Sequence, residues 1–411
     1  MDQAIHLERA NMSSNSPFPL FDCDNHIYEP PEAFLRHLPD KHKNVMTYVE
    51  VDGRTKIAFN GEITEYIPNP TFEVVAAPGC HAEFYRGNNP DGKSFREFNV
   101  VEKGKAEYQY KTPERLKMLD EHGIVGALVF PSLANVIEGH MDHDQDFCHA
   151  AIHSLNLWIR EEWGFGDDGR FYVTPVITFM DAAKALEETQ WIIENGSKVV
   201  LIRPAPVAGV DGYRSMASPE FDAIWKLLEE NKIFVTFHTS DNGYNDVYQR
   251  HKTVAAADGE EYLPFDRTST LEQVMDVNHL ACQHHLASLI CHGLFDRFPK
   301  LNISYVETGT YWVYPLWDRF DLVYRQMPQA FGRHPHEIMR SNVFYHPFYE
   351  ENVYRLVEMV GVDQVMFGSD WPHPEGLAQP SDWEDEISKL SEKDRAKIMG
   401  GNIMRVMGLV A

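Results

Sequence analysis

The sequence lacks the features that would place the protein in a membrane or mark it for export. It contains no apolar run of about 18 residues or more, so no membrane-spanning helix is predicted. The first residues are polar and irregular, without the basic and then apolar pattern of a signal peptide. We therefore expect residues 1–17 to form a disordered arm and the protein to be cytoplasmic.

Positive charge and cysteine are both scarce. Lysine and arginine together number 37 against 62 aspartates and glutamates, which gives a formal net charge of −25. Such a surface repels phosphate backbones and anionic lipids, so neither nucleic acid nor a membrane is an expected partner. The five cysteines form no CxxC pair, which argues against a disulfide framework and a cysteine zinc site. The expected partners are a small-molecule substrate and further copies of the chain, as a homodimer or higher homo-oligomer.

Short apolar runs alternate with longer helical patterns along the chain. Eight strands are predicted, at PLFDCDNH (19–26), GALVFPS (126–132), RFYVTPVIT (170–178), KVVLIRP (198–204), IFVTFHTS (233–240), LNISYVETG (301–309), NVFYHPF (342–348) and QVMFGSDWPH (364–373). They are nearly continuously apolar, as parallel strands buried on both faces are. Eight such units predict a single α/β domain over residues 18–411, a (β/α)8 TIM barrel. A doubly wound open sheet is the alternative, but the Gly-rich phosphate turn that it would need after the first strand is absent.

Two long segments interrupt this alternation. Residues 40–110 contain VMTYVEVDGRTKIAFNGEITEYI, whose Asp52-Gly53 pair and following Asn-Gly pair predict a β-hairpin region inserted after the first strand. Residues 241–270 form a polar segment after the fifth strand. Loops of such length are usually lids or binding loops, and loops after barrel strands leave from the C-terminal mouth. We therefore predict that both segments cover the mouth of the barrel.

Polar residues stand at the carboxyl ends of the predicted strands, where barrels of this kind have their active sites. They are Asp24 and His26 on the first strand, Arg203 on the fourth, His238 on the fifth, Glu307 on the sixth, His346 on the seventh, and Asp370 on the eighth, with His373 close behind. The predicted ligands of a divalent ion are Asp24, His26, His238 and Asp370. Imidazoles together with carboxylates suit Zn²⁺, with Mn²⁺ or Fe²⁺ as alternatives. Asp22, one step earlier on the first strand, is predicted to orient His26.

The first-strand DxH pair, the fifth-strand histidine and the segment GSDWPHPEG resemble the amidohydrolase-related (amidohydrolase 2) family of the metal-dependent amidohydrolase superfamily. The resemblance runs from about residue 20 to the C-terminal KIMGGNIMRVMGL helix. It implies that the four predicted ligands occupy the metal-binding positions of the family, whose members include hydrolases and decarboxylases of aromatic and muconate-type acids. Binuclear members of the superfamily carry a carbamylated lysine at the end of the fourth strand. This chain has Arg203 there, so the resemblance implies one ion per chain.

One departure from the family pattern shapes the expected function. The family's decarboxylases usually have a catalytic histidine at the end of the sixth strand, where this chain has Glu307. We therefore expect a hydrolase of a small cyclic or carboxylated substrate, in which the metal activates water and Asp370 takes its proton. Glu307, unless it is an additional ligand, or His373 would protonate the leaving group, and Arg203 would hold a substrate carboxylate. The alternatives are a non-oxidative decarboxylase, with the same ligands and Asp370 protonating carbon, and an inactive barrel that binds a ligand.

Overall fold

The computed structural model describes residues 17–67, 69–209, 212–253 and 269–410. The predicted N-terminal arm thus lies outside the described residues, except for Pro17, and so does 254–268 of the second predicted insertion. None of the helices within the described ranges is both long enough and apolar enough to cross a membrane.

Parallel and antiparallel sheets are both found in the described part of the chain. The strands are β1 (Leu20–Ile27), β2 (Met46–Val51), β3 (Arg54–Phe59), β4 (Glu62–Thr64), β5 (Val74–Ala76), β6 (Val101–Lys103), β7 (Ile124–Pro131), β8 (Phe171–Val173), β9 (Val199–Ile202), β10 (Phe234–His238), β11 (Ile303–Val306) and β12 (Val343–Tyr345).

The helices fall mostly between the parallel strands. They are α1 (Glu32–Leu35), α2 (Ala82–Tyr85), α3 (Ala106–Gln109), α4 (Pro113–His122), α5 (Ala134–His140), α6 (Gln145–Glu162), α7 (Ala182–Glu194), α8 (Asp222–Glu230), α9 (Asn245–Gln249), α10 (Thr270–Met275), α11 (Val277–Cys291), α12 (Leu294–Arg297), α13 (Val313–Gln326), α14 (Pro335–Ser341), α15 (Val353–Val360), α16 (Glu392–Ala396) and α17 (Asn402–Val406). Shorter 3₁₀ turns lie at Asp40–His42, Phe95–Phe98, Pro219–Phe221, Pro328–Ala330, Val362–Gln364 and Pro380–Ile387, with a π-helical turn at Lys397–Gly401.

Local sequence explains where these helices begin and end. Before α4, the Thr112 hydroxyl accepts a hydrogen bond from the Arg115 backbone N–H at 3.1 Å, and Pro113 opens the helix. Gly123 then ends it with a φ of +71°, a left-handed conformation that suits glycine. α7 and α15 likewise start after a capping Asp181 and Asn352. These caps and the terminal glycine account for the boundaries of the three helices.

Two parallel sheets carry the core. One has the order β1-β7-β8 and the other the order β9-β10-β11-β12. Every residue of β1, β9, β10, β11 and β12 is buried, which agrees with strands covered on both faces. Side chains at the carboxyl ends of these strands therefore meet at one end of the core.

Short extended segments join the two parallel sheets on both sides. Between β8 and β9, the Leu201 N–H donates to the carbonyl of Pro175 at 2.8 Å. Between β12 and β1, Met366 N–H donates to the last carbonyl of β12 at 2.9 Å. Four residues later, Asp370 N–H donates to the Asp24 carbonyl at 2.7 Å. The fold is thus mixed α/β with parallel sheets, and these contacts are consistent with a (β/α)8 barrel.

The segment between β1 and β7 forms small antiparallel sheets. β2 pairs with β3 and β3 with β4, and the first turn is made by Asp52 and Gly53, both with positive φ, as a two-residue hairpin turn requires. Farther along, the Gly79 N–H donates to the carbonyl of His373 at 3.2 Å, and the His81 N–H donates to Pro374 at 2.9 Å. The segment therefore contacts the chain directly after the eighth predicted strand.

Candidate metal centre

β1 brings Asp24 and His26 into the middle of the molecule, where both side chains are almost fully buried. The register of β1 against β7 shifts between Asp22 and Asn25, so the regular alternation of side chains is broken there. Asp22 was predicted to orient His26, but in the structure it does not. Its carboxylate instead accepts hydrogen bonds from the Asp24 N–H and from the N–H and hydroxyl of Ser369.

Four side chains from β1, β10 and the end of β11 point their donor atoms at one another. We call these atoms the donor cluster: Asp24 Oδ1, His26 Nε2, His238 Nε2 and Glu307 Oε2. His26 Nε2 lies 3.2 Å from Asp24 Oδ1 and 3.2 Å from His238 Nε2. Glu307 Oε2 lies 3.3 Å from His26 Nε2 and 3.1 Å from His238 Nε2. The structure thus brings together three of the predicted ligands and adds Glu307 to them.

Asp370, the fourth predicted ligand, lies at the side of this cluster. Its Oδ1 is 3.3 Å from His26 Nε2 and accepts a hydrogen bond of 2.7 Å from His373 Nδ1. The other ring nitrogen of His373 is 3.2 Å from the Ser132 hydroxyl, and its ring lies 4.0 Å from the ring of His26. Because both nitrogens of His373 are engaged, this residue fixes the position of the Asp370 carboxylate.

The backbone is strained at two of these positions. Glu307 has a φ of +50° and Asp370 a φ of +57°, a left-handed conformation that non-glycine residues rarely adopt. Such conformations persist where the surroundings hold them, often at functional sites. Behind Glu307, the buried Glu351 carboxylate accepts hydrogen bonds from the N–H and hydroxyl of Thr310 at 2.8 and 2.7 Å. The turn that follows β11 is therefore held in the shape that aims Glu307 at the cluster.

His346 joins the site, although no role beyond its place at a strand end was predicted for it. Its Nδ1 lies 3.3 Å from Asp24 Oδ2 and accepts a hydrogen bond of 3.3 Å from the Glu307 N–H. Its Nε2 donates to the carbonyl of Gly368 at 3.2 Å. A Cβ on Gly368 would lie only 2.5 Å from the Cβ of Asp24, so glycine is required there. The FYHPF run is the feature of the sequence that indicates this residue, because the seventh predicted strand ends on a polar residue, as the other predicted strands do.

Arg203 lies beside the site without touching the donor cluster. It follows β9 by one residue, and the register of β9 with β10 pairs Ile202 with Phe237, which places Arg203 next to His238. Its Nε donates to the carbonyl of Asp241, and the side chain is buried. Within the described residues, no hydrogen bond of Arg203 reaches the donor cluster.

Electrostatics make the centre attractive to positive charge. Burial lowers the pKa of His238, but the carboxylates of Glu307 and Asp24 outweigh it and raise this pKa to about 10. Burial raises the pKa of Glu307, yet the neighbouring His238 and His26 bring it down to about 2. Burial, then Glu307, raises the pKa of Asp370 well above its usual range. The cluster therefore favours ionised carboxylates at Asp24 and Glu307, whereas the raised pKa of Asp370 favours its protonated form.

The donor set fits a divalent ion. Because His238 Nδ1 donates to the Thr239 carbonyl at 3.0 Å, its Nε2, 3.2 Å from His26 Nε2, is the ring atom that would face an ion. Bonds of about 2.0–2.1 Å to a tetrahedral or octahedral ion place neighbouring donors roughly 3.0–3.4 Å apart. The 3.1–3.3 Å separations measured around His26 Nε2 and His238 Nε2 fall in this range.

The Glu307→Gln variant separates a ligand role from the predicted acid or base role. As a ligand, Glu307 loses its anionic donor, so the variant should bind metal at least about 10-fold more weakly and regain activity at high metal concentration. Metal content by elemental analysis and turnover against metal concentration measure this. Glu138→Gln is the matched control, since Glu138 is buried on α5 outside the donor cluster. Full metal content with turnover reduced roughly 10²- to 10⁴-fold would instead support the acid or base role.

Comparison with known proteins finds relatives that match most of the chain, and two of them follow. A gamma-resorcylate decarboxylase of Rhizobium sp. (strain MTP-10005) is 29% identical over 305 residues, which cover 72% of this chain and 86% of that protein. The solved structure of an amidohydrolase from Mycobacterium avium subsp. paratuberculosis K-10 is 35% identical, covers 95% of this chain and 100% of its own, and superposes with a TM-score of 0.88.

A more distant likeness and a family model complete the comparison. The 5-carboxyvanillate decarboxylase of Novosphingobium aromaticivorans DSM 12444, solved with manganese and 4-hydroxy-3-methoxy-5-nitrobenzoic acid, has a TM-score of 0.57 and covers 97% of this chain and 98% of its own. At 16% identity this shows a shared fold alone. The amidohydrolase family model (Amidohydro_2) matches residues 80–409, which confirms the resemblance noted in the sequence. The chain belongs to the amidohydrolase family.

Proposed function

We propose that the protein is a metal-dependent non-oxidative decarboxylase that releases CO₂ from an aromatic or muconate-type acid. The observation that carries this proposal is the likeness to gamma-resorcylate decarboxylase over 86% of that enzyme's length. It is preferred to the expected hydrolase, which would use the same ligands with Asp370 as base. The position of Glu307 supports the preference, because a glutamate among the metal ligands is no longer available to protonate a leaving group.

We propose that one divalent ion binds at the donor cluster. The residues that would hold it are Asp24, His26, His238 and Glu307, with Asp370 at its edge. Zn²⁺ is the ion expected from the sequence, and this carboxylate-rich set also suits Mn²⁺. A divalent ion held there would polarise the substrate oxygens and stabilise negative charge on them.

Asp370 would supply the proton. Its carboxyl group, protonated in keeping with its raised pKa, would give the proton to the carbon that bears the substrate carboxylate. The bond between that carbon and the carboxylate then breaks, its electron pair stays with the substrate, and CO₂ leaves. Water would reprotonate Asp370, so the reaction consumes one proton and needs no oxidant. His373 would act as a positioning residue through its hydrogen bond to Asp370.

Arg203 would bind a polar or anionic substituent of the substrate. The guanidinium is fixed through its Nε by Asp241, at the carboxyl end of the strand next to His238. A planar guanidinium suits a carboxylate or a phenolate. An inactive ligand-binding barrel remains the least favoured alternative, because the buried carboxylates of the donor cluster would cost stability without a cation.

We also propose that the parallel strands close into a (β/α)8 barrel and that the segment between β1 and β7 covers its mouth. An aromatic stack supports the second point. Phe72 of this segment stacks on Tyr28 with ring centres 4.3 Å apart, and Tyr28 stacks on His373 at 5.4 Å. Two further expectations stay predictions. One is that segment 241–270 also covers the mouth, and the other is that the chain forms a homodimer or higher homo-oligomer.

A substrate panel tests the proposed reaction. Metal-loaded protein should release CO₂ from at least one hydroxybenzoate or carboxyvanillate, with one CO₂ formed for each acid consumed. Lactones and amides tested beside them should remain intact. Protein stripped of metal with a chelator, and then reloaded, is the control that ties the activity to the ion. Turnover of a lactone or amide without CO₂ release would overturn the proposal in favour of the hydrolase.

A further inference from the structure

Arg115 is a fully buried arginine behind the metal centre. It extends from α4, the first long helix after the inserted segment, toward the end of β1. Its Nη2 donates to the backbone carbonyl of His26 at 2.6 Å and to the side-chain oxygen of Asn25. Its Nη1 donates to the Glu107 carbonyl at 3.3 Å, and its Cζ lies 4.4 Å from the ring centre of Trp371. Arginine is almost never fully buried without such specific partners.

The hydrogen bonds continue from Arg115 to Ser369 in the eighth predicted strand. The Asn25 amide donates to Asp22 Oδ2 at 3.1 Å. Asp22 then accepts the Ser369 N–H at 2.9 Å and the Ser369 hydroxyl at 2.6 Å, besides the Asp24 N–H at 3.1 Å. One carboxylate therefore ties β1 to the segment that carries Asp370.

These four residues form a buried network: Arg115, Asn25, Asp22 and Ser369. Asn25 stands between two proposed ligands on β1, and Ser369 directly precedes Asp370, which lies at the edge of the donor cluster. Groups that hold metal ligands in place often change metal affinity by a factor of about 10 to 100 when they are removed. We propose that Arg115 is a positioning residue that sets the affinity of the centre for its divalent ion. It does so by fixing the positions of Asp24 and His26 on β1 through its bonds to Asn25 and to the His26 carbonyl.

A purely structural role is the alternative. Arg115 would then only balance the buried charge of Asp22, and its loss would destabilise the fold without a specific effect on metal binding. Removing one partner of a buried charge pair strongly destabilises a protein, whereas replacing both partners is often neutral. A double variant that removes both charges therefore distinguishes the two roles.

The experiment compares Arg115→Met and Asp22→Asn with the double variant Arg115→Met/Asp22→Asn in the full chain. Thermal unfolding of the metal-free proteins reports stability, and titration with Mn²⁺ followed by electron paramagnetic resonance reports affinity without any substrate. Arg115→Met should lose both stability and Mn²⁺ affinity. The double variant should regain most of the melting temperature yet bind Mn²⁺ about 10-fold more weakly than the Asp22→Asn single variant. Equal Mn²⁺ affinity in the double variant and in Asp22→Asn would overturn the proposal.

Arg170→Met provides the matched control. The Arg170 guanidinium donates at 2.9 Å to Asp120, which is on α4 like Arg115. It also donates at 2.9 Å to the carbonyl of Ile124, the first residue of β7 and thus at the end of that strand away from the metal centre. Its replacement should lower the melting temperature while leaving Mn²⁺ affinity unchanged. An equal loss of Mn²⁺ affinity in this control would show a general effect of destabilisation and contradict a positioning role for Arg115.

A second substitution covers the case in which Arg115→Met does not fold. Arg115→Lys keeps the charge but cannot bond to the His26 carbonyl and Asn25 in the same planar geometry. It should fold and bind Mn²⁺ several-fold more weakly, whereas unchanged affinity would contradict the proposal. The inference rests on the proposed metal centre and not on the proposed reaction. Wild-type protein that binds Mn²⁺ but decarboxylates nothing would leave it intact, and wild-type protein that binds neither Mn²⁺ nor Zn²⁺ would remove its basis.

Discussion

The His238→Ala variant should bind its divalent ion at least about 100-fold more weakly than the wild type and lose nearly all activity at limiting metal. His238 supplies one of the two imidazoles of the donor cluster, and its Nε2 lies within 3.3 Å of Asp24, His26 and Glu307. Alanine removes this donor and leaves the carboxylates of Asp24 and Glu307 around a single imidazole. Calorimetric titration of chelator-treated protein with Zn²⁺ and Mn²⁺ measures the effect.

His285→Ala is the matched control for that result. His285 is also a buried histidine, but its Nδ1 lies 2.8 Å from the Tyr305 hydroxyl, away from the donor cluster. This variant should lose stability and keep metal affinity. Wild-type metal affinity in His238→Ala would show that the ion, if one binds, is held elsewhere.

The Asp370→Asn variant should keep its metal and lose a factor of roughly 10² to 10⁴ in turnover. Four other residues remain to hold the ion, while the amide cannot deliver a proton to carbon. The amide oxygen can still accept the hydrogen bond that His373 donates at 2.7 Å, so the loop should keep its shape. Steady-state rates at saturating metal, with metal content determined on the same samples, separate the proton-transfer role from a ligand role.

A remote aspartate controls for the substitution itself. Asp363 lies directly before the eighth predicted strand, and its carboxylate lies 2.7 Å from Lys397 Nζ near the surface. Asp363→Asn should retain full turnover. If Asp370→Asn turns over at close to the wild-type rate, another residue protonates the substrate, and the proposed role of Asp370 is wrong.

The sequence predicted the parallel strands of the core and the grouping of polar side chains at their carboxyl ends, because both follow from short-range patterns. All eight predicted runs contain either a strand or an extended segment bonded between strands, since apolar runs buried on both faces are distinctive. Asp24, His26 and His238 meet because the carboxyl ends of parallel strands meet. Asp370 was predicted from its place at the end of the eighth predicted strand, and the structure places it beside them.

What the sequence could not predict depends on departures from regular geometry. The bulge in β1 turns Asp22 away from His26 and toward Ser369, and strict alternation contains no signal for it. The left-handed backbone at Glu307 aims its carboxylate between two imidazoles. The pattern of a regular strand gives no indication of the direction in which the side chain after its last residue points. Arg115 was overlooked because it stands in an ordinary amphipathic helix, and only the fold shows that its guanidinium is buried against β1.

The most direct test of decarboxylation is the isotopic composition of the product formed by metal-loaded protein in deuterated, ¹⁸O-enriched water. Mass spectrometry should find one deuterium on the carbon that lost the carboxylate and no ¹⁸O in the product, with an equal amount of CO₂ released. That pattern follows from a proton delivered to carbon through Asp370. A product that contains ¹⁸O and lacks the carbon-bound deuterium would contradict the account and identify the protein as a hydrolase.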